Sequence, residues 1–313
     1  MKIVWSSMLW CALAGMLSHE ARAEEGPIGW ASVAGGTRGG AGGETITVED
    51  AEAFLAAVES KSPAVVRFSG VLRLPRAARV GSHKSIEGMG GEARLEGAGL
   101  TLNGVENVIL RNVTIRGADD AINLEKGTHH VWIDHCDLSA CRDGLIDIKR
   151  GSDYVTVSWN HLHDHRKSCL LGHSDKEDIR RMDTGRLRVT YHHNFFDGTQ
   201  TRHPRVRYAD PVHVFNNYFR KNEYGVASVM DAGVLVEGNY FEDVEHPTHT
   251  QYGDSPDPGR LFARDNVLVR SGEPEVRGAV LDPGKYYRYT LDPAEQVAEQ
   301  VRRGAGVGKM RAP

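Results

Sequence analysis

The most regular feature of the chain is a short β-branched run that alternates facing positions, ends, and returns. It begins at Val108-Ile109-Leu110 and recurs at Val131-Trp132-Ile133, Val155-Thr156-Val157, Val189-Thr190-Tyr191, Val212-His213-Val214, Val234-Leu235-Val236 and Leu261-Phe262-Ala263. The steps are 23, 24, 34, 23, 22 and 27 residues. Period-two alternation over short runs predicts strands, and a period of this size predicts one solenoid coil per repeat. In five of the seven coils an Asn stands five positions after the start: Asn160, Asn194, Asn217, Asn239 and Asn266, with Cys136 in that place in the second coil. Stacked amides can each donate to the next and also satisfy backbone at a corner. The expected fold is therefore all-β, a single-stranded right-handed parallel β-helix with an internal Asn ladder. A propeller or sandwich would need hairpins with two-residue turns, and Asn-Gly and Asp-Gly pairs are rare between the runs.

Upstream of the repeat the periodicity changes. Thr45 to Ser60 reads as a helix, with Ala51, Phe54, Leu55 and Val58 at helical spacing. Its expected place is over the open end of the solenoid, because an uncapped end coil exposes its core and its strand edges. The repeating coils are expected over about 64–270. The tail, about 272–313, is rich in Pro, Gly and charge; it is expected to pack along the outside, with its last residues disordered.

Length does not divide the chain, because a solenoid grows by adding coils and 313 residues fit one domain, 24–313. The first 23 residues combine Lys2, an apolar run from Ile3 to Leu17, and Ala21-Arg22-Ala23. That is the pattern of a signal peptide with an A-x-A cleavage site, so the expectation is secretion. Cys11 follows Trp10, too bulky for the usual lipoprotein site, and no later apolar stretch is long enough to span a bilayer. Cys136, Cys141 and Cys169 remain in the mature chain, an odd number that leaves at least one thiol free or paired between chains. With 38 Lys+Arg against 42 Asp+Glu there is no basic excess of the kind a nucleic-acid binder shows. The 35 glycines fit a fold with many tight corners.

Residues that share a phase in a parallel solenoid are neighbours about 4.8 Å apart along the axis. Twelve positions after their coil starts come Asp120, Asp143 and Lys167, and thirteen after comes Arg202, with Asp147 and Arg207 close behind. Two carboxylates on successive coils repel unless they are protonated or bridged by a cation. Oxygen-only ligands suit Ca²⁺, which accepts flexible coordination and can keep waters or a substrate carboxylate. Acid, acid, base, base in one line is poor design for stability and good design for gripping a polyanion, by a metal bridge at one end and direct charge pairing at the other. The 34-residue coil, whose extra length includes Ser168 to Arg186, is expected to send a charged loop out beside Lys167.

At these residues, over about Gly29 to Asn266, the chain resembles the pectate lyases of the first polysaccharide lyase family. The resemblance is carried by Val131-Trp132-Ile133-Asp134-His135, by the stretch from Asp143 through Asp147 to Lys149, and by Val189-Thr190-Tyr191-His192-His193-Asn194 followed by the stretch from Thr201 to Arg207. It implies cleavage of α-1,4-linked polygalacturonate by calcium-assisted β-elimination. Residue by residue, it implies that Asp120, Asp143 and Asp147 are calcium ligands, that Lys167 and Arg207 bind substrate, and that Arg202 is the base. Ala118 stands where the family carries a further aspartate, and neighbouring Asp119 is the expected substitute ligand. A guanidinium ordinarily stays protonated, so the base role of Arg202 rests on the resemblance. The implied partner is pectin polysaccharide, with no nucleic acid and no membrane, and the chain is expected to act as a monomer.

Two rival readings are weaker. A pectin lyase acting on methyl-esterified substrate would dispense with calcium and present an aromatic-rich groove, whereas here the acidic trio is intact and aromatics are only 7%. A non-catalytic β-helical adhesin would not need Arg202 and Lys167 beside an acidic cluster. His161, His163 and His165, and the pair His192-His193, raise the question of zinc, but no Cys/His spacing of a zinc site accompanies them. The expectation for them is polar corner or interior stacking, and for Trp132, Asp134 and His135 an architectural role.

Overall fold

The computed structural model describes residues 26–310, so the signal-peptide reading of 1–23 and the last three residues of the tail lie outside the described residues. The chain winds into a right-handed parallel β-helix with three parallel sheets. A ten-stranded sheet runs from Glu44–Thr47 to Arg260–Arg264, a nine-stranded sheet from Val71–Arg73 to Val267–Val269, and an eight-stranded sheet from Ala78–Arg79 to His246–His249. No helix among the described residues is long and apolar enough to cross a membrane.

The repeat read from the sequence is the register of the ten-stranded sheet: Val108 pairs with Val131, Val131 with Val155, Val155 with Val189, and Val212 with Val234. Two residues later each strand sends one side chain inward. Leu110, Ile133, Val157, Tyr191, Val214 and Val236 form a column no more than 2% exposed. Each fully buried aliphatic chain in such a column stabilises by about 1.5–3 kcal/mol relative to exposure.

The Asn ladder forms. Each Asn Nδ2 donates to the Oδ1 of the next, from Asn160 to Asn194 at 2.9 Å, and from Asn194 to Asn217, Asn217 to Asn239 and Asn239 to Asn266 at 3.0 Å. At the head of the column the Cys136 backbone N–H donates to Asn160 Oδ1 at 2.9 Å. The residue before each ladder position has a left-handed backbone: Asn112, His135, Trp159, His193, Asn216, Gly238 and Asp265 all have φ between 48° and 62°. Only glycine adopts that conformation without cost, so the corner is strained in most coils and the ladder bonds that follow hold it. Stacking supplies a second hold, with Trp159 4.3 Å from His193.

The N-terminal cap differs from the expected helix. Glu44–Thr47 is a strand that pairs with Ala64–Phe68, and the helix runs only over Ala51–Glu59, its first turn capped by the Asp50 carboxylate on Ala53 N–H at 2.8 Å. The β-branched triplet Thr45-Ile46-Thr47 prefers a pleated surface, and Asp50 marks the true start. In the tail, helix Ala294–Gly304 lays Val297 and Val301, and Ala305 just past its end, against Phe195 and Tyr218, outside the nine-stranded sheet. The three described cysteines are unpaired, and burial pushes the Cys136 thiol up to about 12 and the Cys141 thiol up to about 11.

Candidate active site

The eight-stranded sheet and the turns leading into it carry the charged column. Strands Ile122–Glu125, Ile146–Ile148, Cys169–Leu171 and Arg205–Arg207 lie side by side in that order. Asp120, Asp143, Lys167 and Arg202 each stand in the turn that enters one of them, so one phase of the repeat becomes one line across four coils. Asp147 lies within its strand, between Asn123 and Leu170.

Gly144 organises the acidic end. Its N–H donates to Asp120 Oδ1 at 2.8 Å. A methyl group placed on it would lie 2.2 Å from Asp147 Oδ1 and 3.3 Å from Asp120 Oδ1, so both carboxylates converge on the space that glycine leaves. Among the described residues Asp147 Oδ1 is buried with no hydrogen-bond partner. Burial first, and then the Asp120 charge, push the Asp147 carboxyl up to about 6, against the opposing pull of Lys149 and Arg202. An orphaned, buried carboxylate oxygen facing a second carboxylate is the donor set a hard divalent cation satisfies, and the pair fits calcium on that ground.

Asp143 is at present engaged by a side chain. Lys167 Nζ donates to its Oδ1 at 2.7 Å, which holds the Asp143 carboxyl below the usual range, and the Arg202 and Lys149 charges act in the same direction. Asp119, the expected substitute ligand, is ion-paired with Arg142 at 2.8 Å and largely exposed, while Ala118 is buried. Arg202 has a left-handed backbone, φ 69°, and its carbonyl accepts from Cys169 N–H at 2.7 Å, which ties it to the neighbouring coil.

Arg207 is 6% exposed and donates through Nε to Asp175 at 2.7 Å and through Nη1 to Gly172 O at 3.2 Å. It therefore anchors the inserted loop as well as facing the cleft side of the sheet. The insertion begins later than expected, because Cys169–Leu171 stays in the sheet and the chain departs only after Gly172, passing through helix Glu177–Asp183.

Two further residues join the site. Lys149 Nζ lies 3.6 Å from Asp147 Oδ2 and 3.5 Å from Glu125 Oε1, and His165 Nε2 lies 2.5 Å from the Asp143 carbonyl oxygen. Lys149 is detectable in the sequence: it stands two positions past Asp147, directly after the end of strand Ile146–Ile148, so the period of two puts it on the same face. His165 leaves no such trace, since it sits in a turn. A recess of about 570 Å³ lined by Lys221, Glu223, Tyr224, His249 and Tyr252 lies further along the stack, beyond Arg205.

A parallel β-helix with this groove of carboxylates and cations is an enzyme of the polysaccharide lyase class. A family model described as pectate lyase matches residues 6–310, and the chain belongs to the pectate lyase family. It is 33% identical to a pectate trisaccharide-lyase of Bacillus licheniformis, over 90% of this chain and 86% of that one. It is 39% identical to pectate lyase A of Emericella nidulans, over 92% of this chain and 89% of the relative. Among solved structures it is similar to a pectate lyase from Bacillus sp. N165 in complex with trigalacturonate, with a TM-score of 0.84 and 30% identity over 91% of this chain and all of that one.

Proposed function

We propose that the protein is an exported lyase that cleaves polygalacturonate by calcium-assisted β-elimination, with Arg202 as the base. The observation that carries the reading is the convergence of Asp120 and the orphaned Asp147 Oδ1 over Gly144, one and two coils from Lys167 and Arg202. Asp120, Asp143 and Asp147 are the residues that would hold Ca²⁺, and the bound ion would neutralise uronate charge and draw electron density from the carboxylate beside the reacting carbon. Lys167, released from Asp143, binds a uronate carboxylate by direct charge pairing, and Arg207 holds the chain from the edge of the insertion.

Elimination removes the proton on C5 of the uronate. Arg202 takes that proton, the electron pair forms the C4–C5 double bond, the glycosidic C4–O bond breaks, and the departing oxygen acquires a proton. Cations around the carboxylate stabilise the enolate-like charge that develops. A guanidine accepts a proton only in its neutral form, so activity is expected to rise toward alkaline pH. Export follows from the Lys2, apolar and Ala21-Arg22-Ala23 pattern.

The test is ultraviolet absorbance of unsaturated product from polygalacturonate, with calcium, with a chelator, and after calcium is restored. Growth of absorbance that the chelator abolishes and calcium recovers supports both elimination and the metal. Full activity in excess chelator overturns the acidic trio as a functional metal site. A preference for methyl-esterified pectin would favour the pectin lyase reading.

A further inference from the structure

On the nine-stranded sheet, away from the charged column, three side chains of neighbouring coils meet. His161 and His163 stand two apart on strand His161–His163, and Asp137 is the residue paired with His161 on strand Asp137–Ser139. His161 Nδ1 lies 3.1 Å from Asp137 Oδ2, His163 Nε2 lies 3.0 Å from Asp137 Oδ1, and all three ligand atoms fall within 4.8 Å of one another. We propose that Asp137, His161 and His163 form a second metal site, for a divalent transition ion of the zinc type, clipping two coils together beneath the C-terminal segment.

Three observations support it. Tetrahedral zinc with ligands at about 2.0–2.2 Å spaces them about 3.3 Å apart, close to the two Asp–His edges already present. Each imidazole also turns its remote nitrogen to a second carboxylate, His163 Nδ1 to Asp164 Oδ2 at 2.8 Å and His161 Nε2 to Asp197 Oδ2 at 3.5 Å. That is the outer shell that fixes the tautomer and raises the basicity of a metal-bound histidine. Finally, Gly306 crosses directly over the site, where a Cβ would come within 3.1 Å of His161 Cβ and 3.9 Å of Asp137 Oδ2, so glycine keeps the carboxylate approachable.

Without a metal, Asp137 is shared between two stacked rings whose centroids are 4.3 Å apart. A divalent ion at that point would take the place of the proton that each ring nitrogen shares with Asp137. The surrounding charges are Asp164 and Asp197 on the acidic side, with Arg220 on Asp197 and Lys309 of the C-terminal segment opposite. Binding therefore releases protons and weakens as pH falls.

The experiment titrates the full mature chain with Co²⁺ under saturating Ca²⁺, reading visible absorption, and then with Zn²⁺, reading the melting temperature. The expected result is one Co²⁺ per chain with an intensified visible band, displacement by Zn²⁺, and a melting temperature that climbs with the logarithm of free Zn²⁺. His163→Gln should lose the band and the climb while lyase activity stays. Wild-type protein with neither response overturns the proposal, as does a band that persists in His163→Gln. If that variant fails to fold, Asp164→Asn keeps every ligand and removes one outer carboxylate, and its Zn²⁺ affinity should drop about 10- to 100-fold; unchanged affinity also overturns the site.

Discussion

Lys167 reaches back one coil and holds Asp143, Nζ to Oδ1, at 2.7 Å. One residue thus guards a carboxylate that the proposed calcium site needs, and the bond must open when the cation arrives. The pair is about half exposed, 41% for the lysine side chain and 52% for the aspartate, so it is worth no more than about 0.5–1 kcal/mol. Lys167→Ala should accordingly raise calcium affinity about two- to fivefold in the absence of substrate, while turnover on polygalacturonate falls by orders of magnitude. Calorimetric titration of calcium into the two proteins checks the sign, and a loss of calcium affinity would show that the lysine positions the site rather than competing for it.

The ladder makes a separate prediction about stability. Asn217 Nδ2 donates to Tyr191 O, Phe215 O and Asn239 Oδ1, and Asn217 Oδ1 accepts from the N–H and the amide of Asn194. Asn217→Ala strands buried groups on both neighbouring coils and should cost about 2–5 kcal/mol. Asn266 ends the column partly exposed, where water can replace a lost bond, so Asn266→Ala should cost visibly less. Denaturant unfolding of both variants measures the gradient.

The coils were legible because two signals with different physics agree on one period. The β-branched starts mark strands, and the Asn positions five residues on mark the corner, so Val155 and Asn160 locate each other. The charged line was legible for the same reason, since equal phase means adjacency in a parallel stack. The strand at Thr45-Ile46-Thr47 is hidden because only Val48-Glu49-Asp50, with no Gly or Pro, separate it from the helix, and the helical spacing of Ala51 to Val58 extends backward over it. The meeting of Asp137 with His161 and His163 was hidden differently. Its ligands are spread over two coils, so a search for local Cys/His spacing passes over them, although Asp137 and His161 share a phase.

Asp183 predicts a pH dependence. Its side chain is buried, Oδ1 accepts from Gly151 N–H at 2.7 Å, and Oδ2 is buried without a partner among the described residues. Burial pushes its carboxyl up to about 6 from an ordinary value near 3.8. The folded state therefore keeps its proton to higher pH than the unfolded chain, and this group favours folding most below about pH 4 and loses that contribution as pH rises through about 6. Asp183→Asn removes the titration. It should leave the melting temperature nearly unchanged at pH 4 and raise stability by about 1–2 kcal/mol at pH 8. An equal effect at both values would assign the change to packing.

Arg202 and Arg207 separate by role. Arg202 stands in the turn entering its strand, one coil beyond Lys167, and its charge acts on both Asp143 and Asp147. Arg202→Lys keeps the charge and most of the length but changes the acid-base character and removes the planar fork. If Arg202 takes the C5 proton, this variant should lose kcat by about 100-fold or more with KM and calcium affinity little changed. Arg207 spends two of its donors on Asp175 and Gly172, so Arg207→Lys should loosen the insertion and raise KM, with easier proteolytic cleavage between 173 and 186. Steady-state kinetics on polygalacturonate, with limited proteolysis of each variant, resolves the pair. Normal turnover in Arg202→Lys beside an inactive Lys167→Ala would move the proton acceptor away from Arg202, because the step would then proceed without the acid-base character of the guanidine.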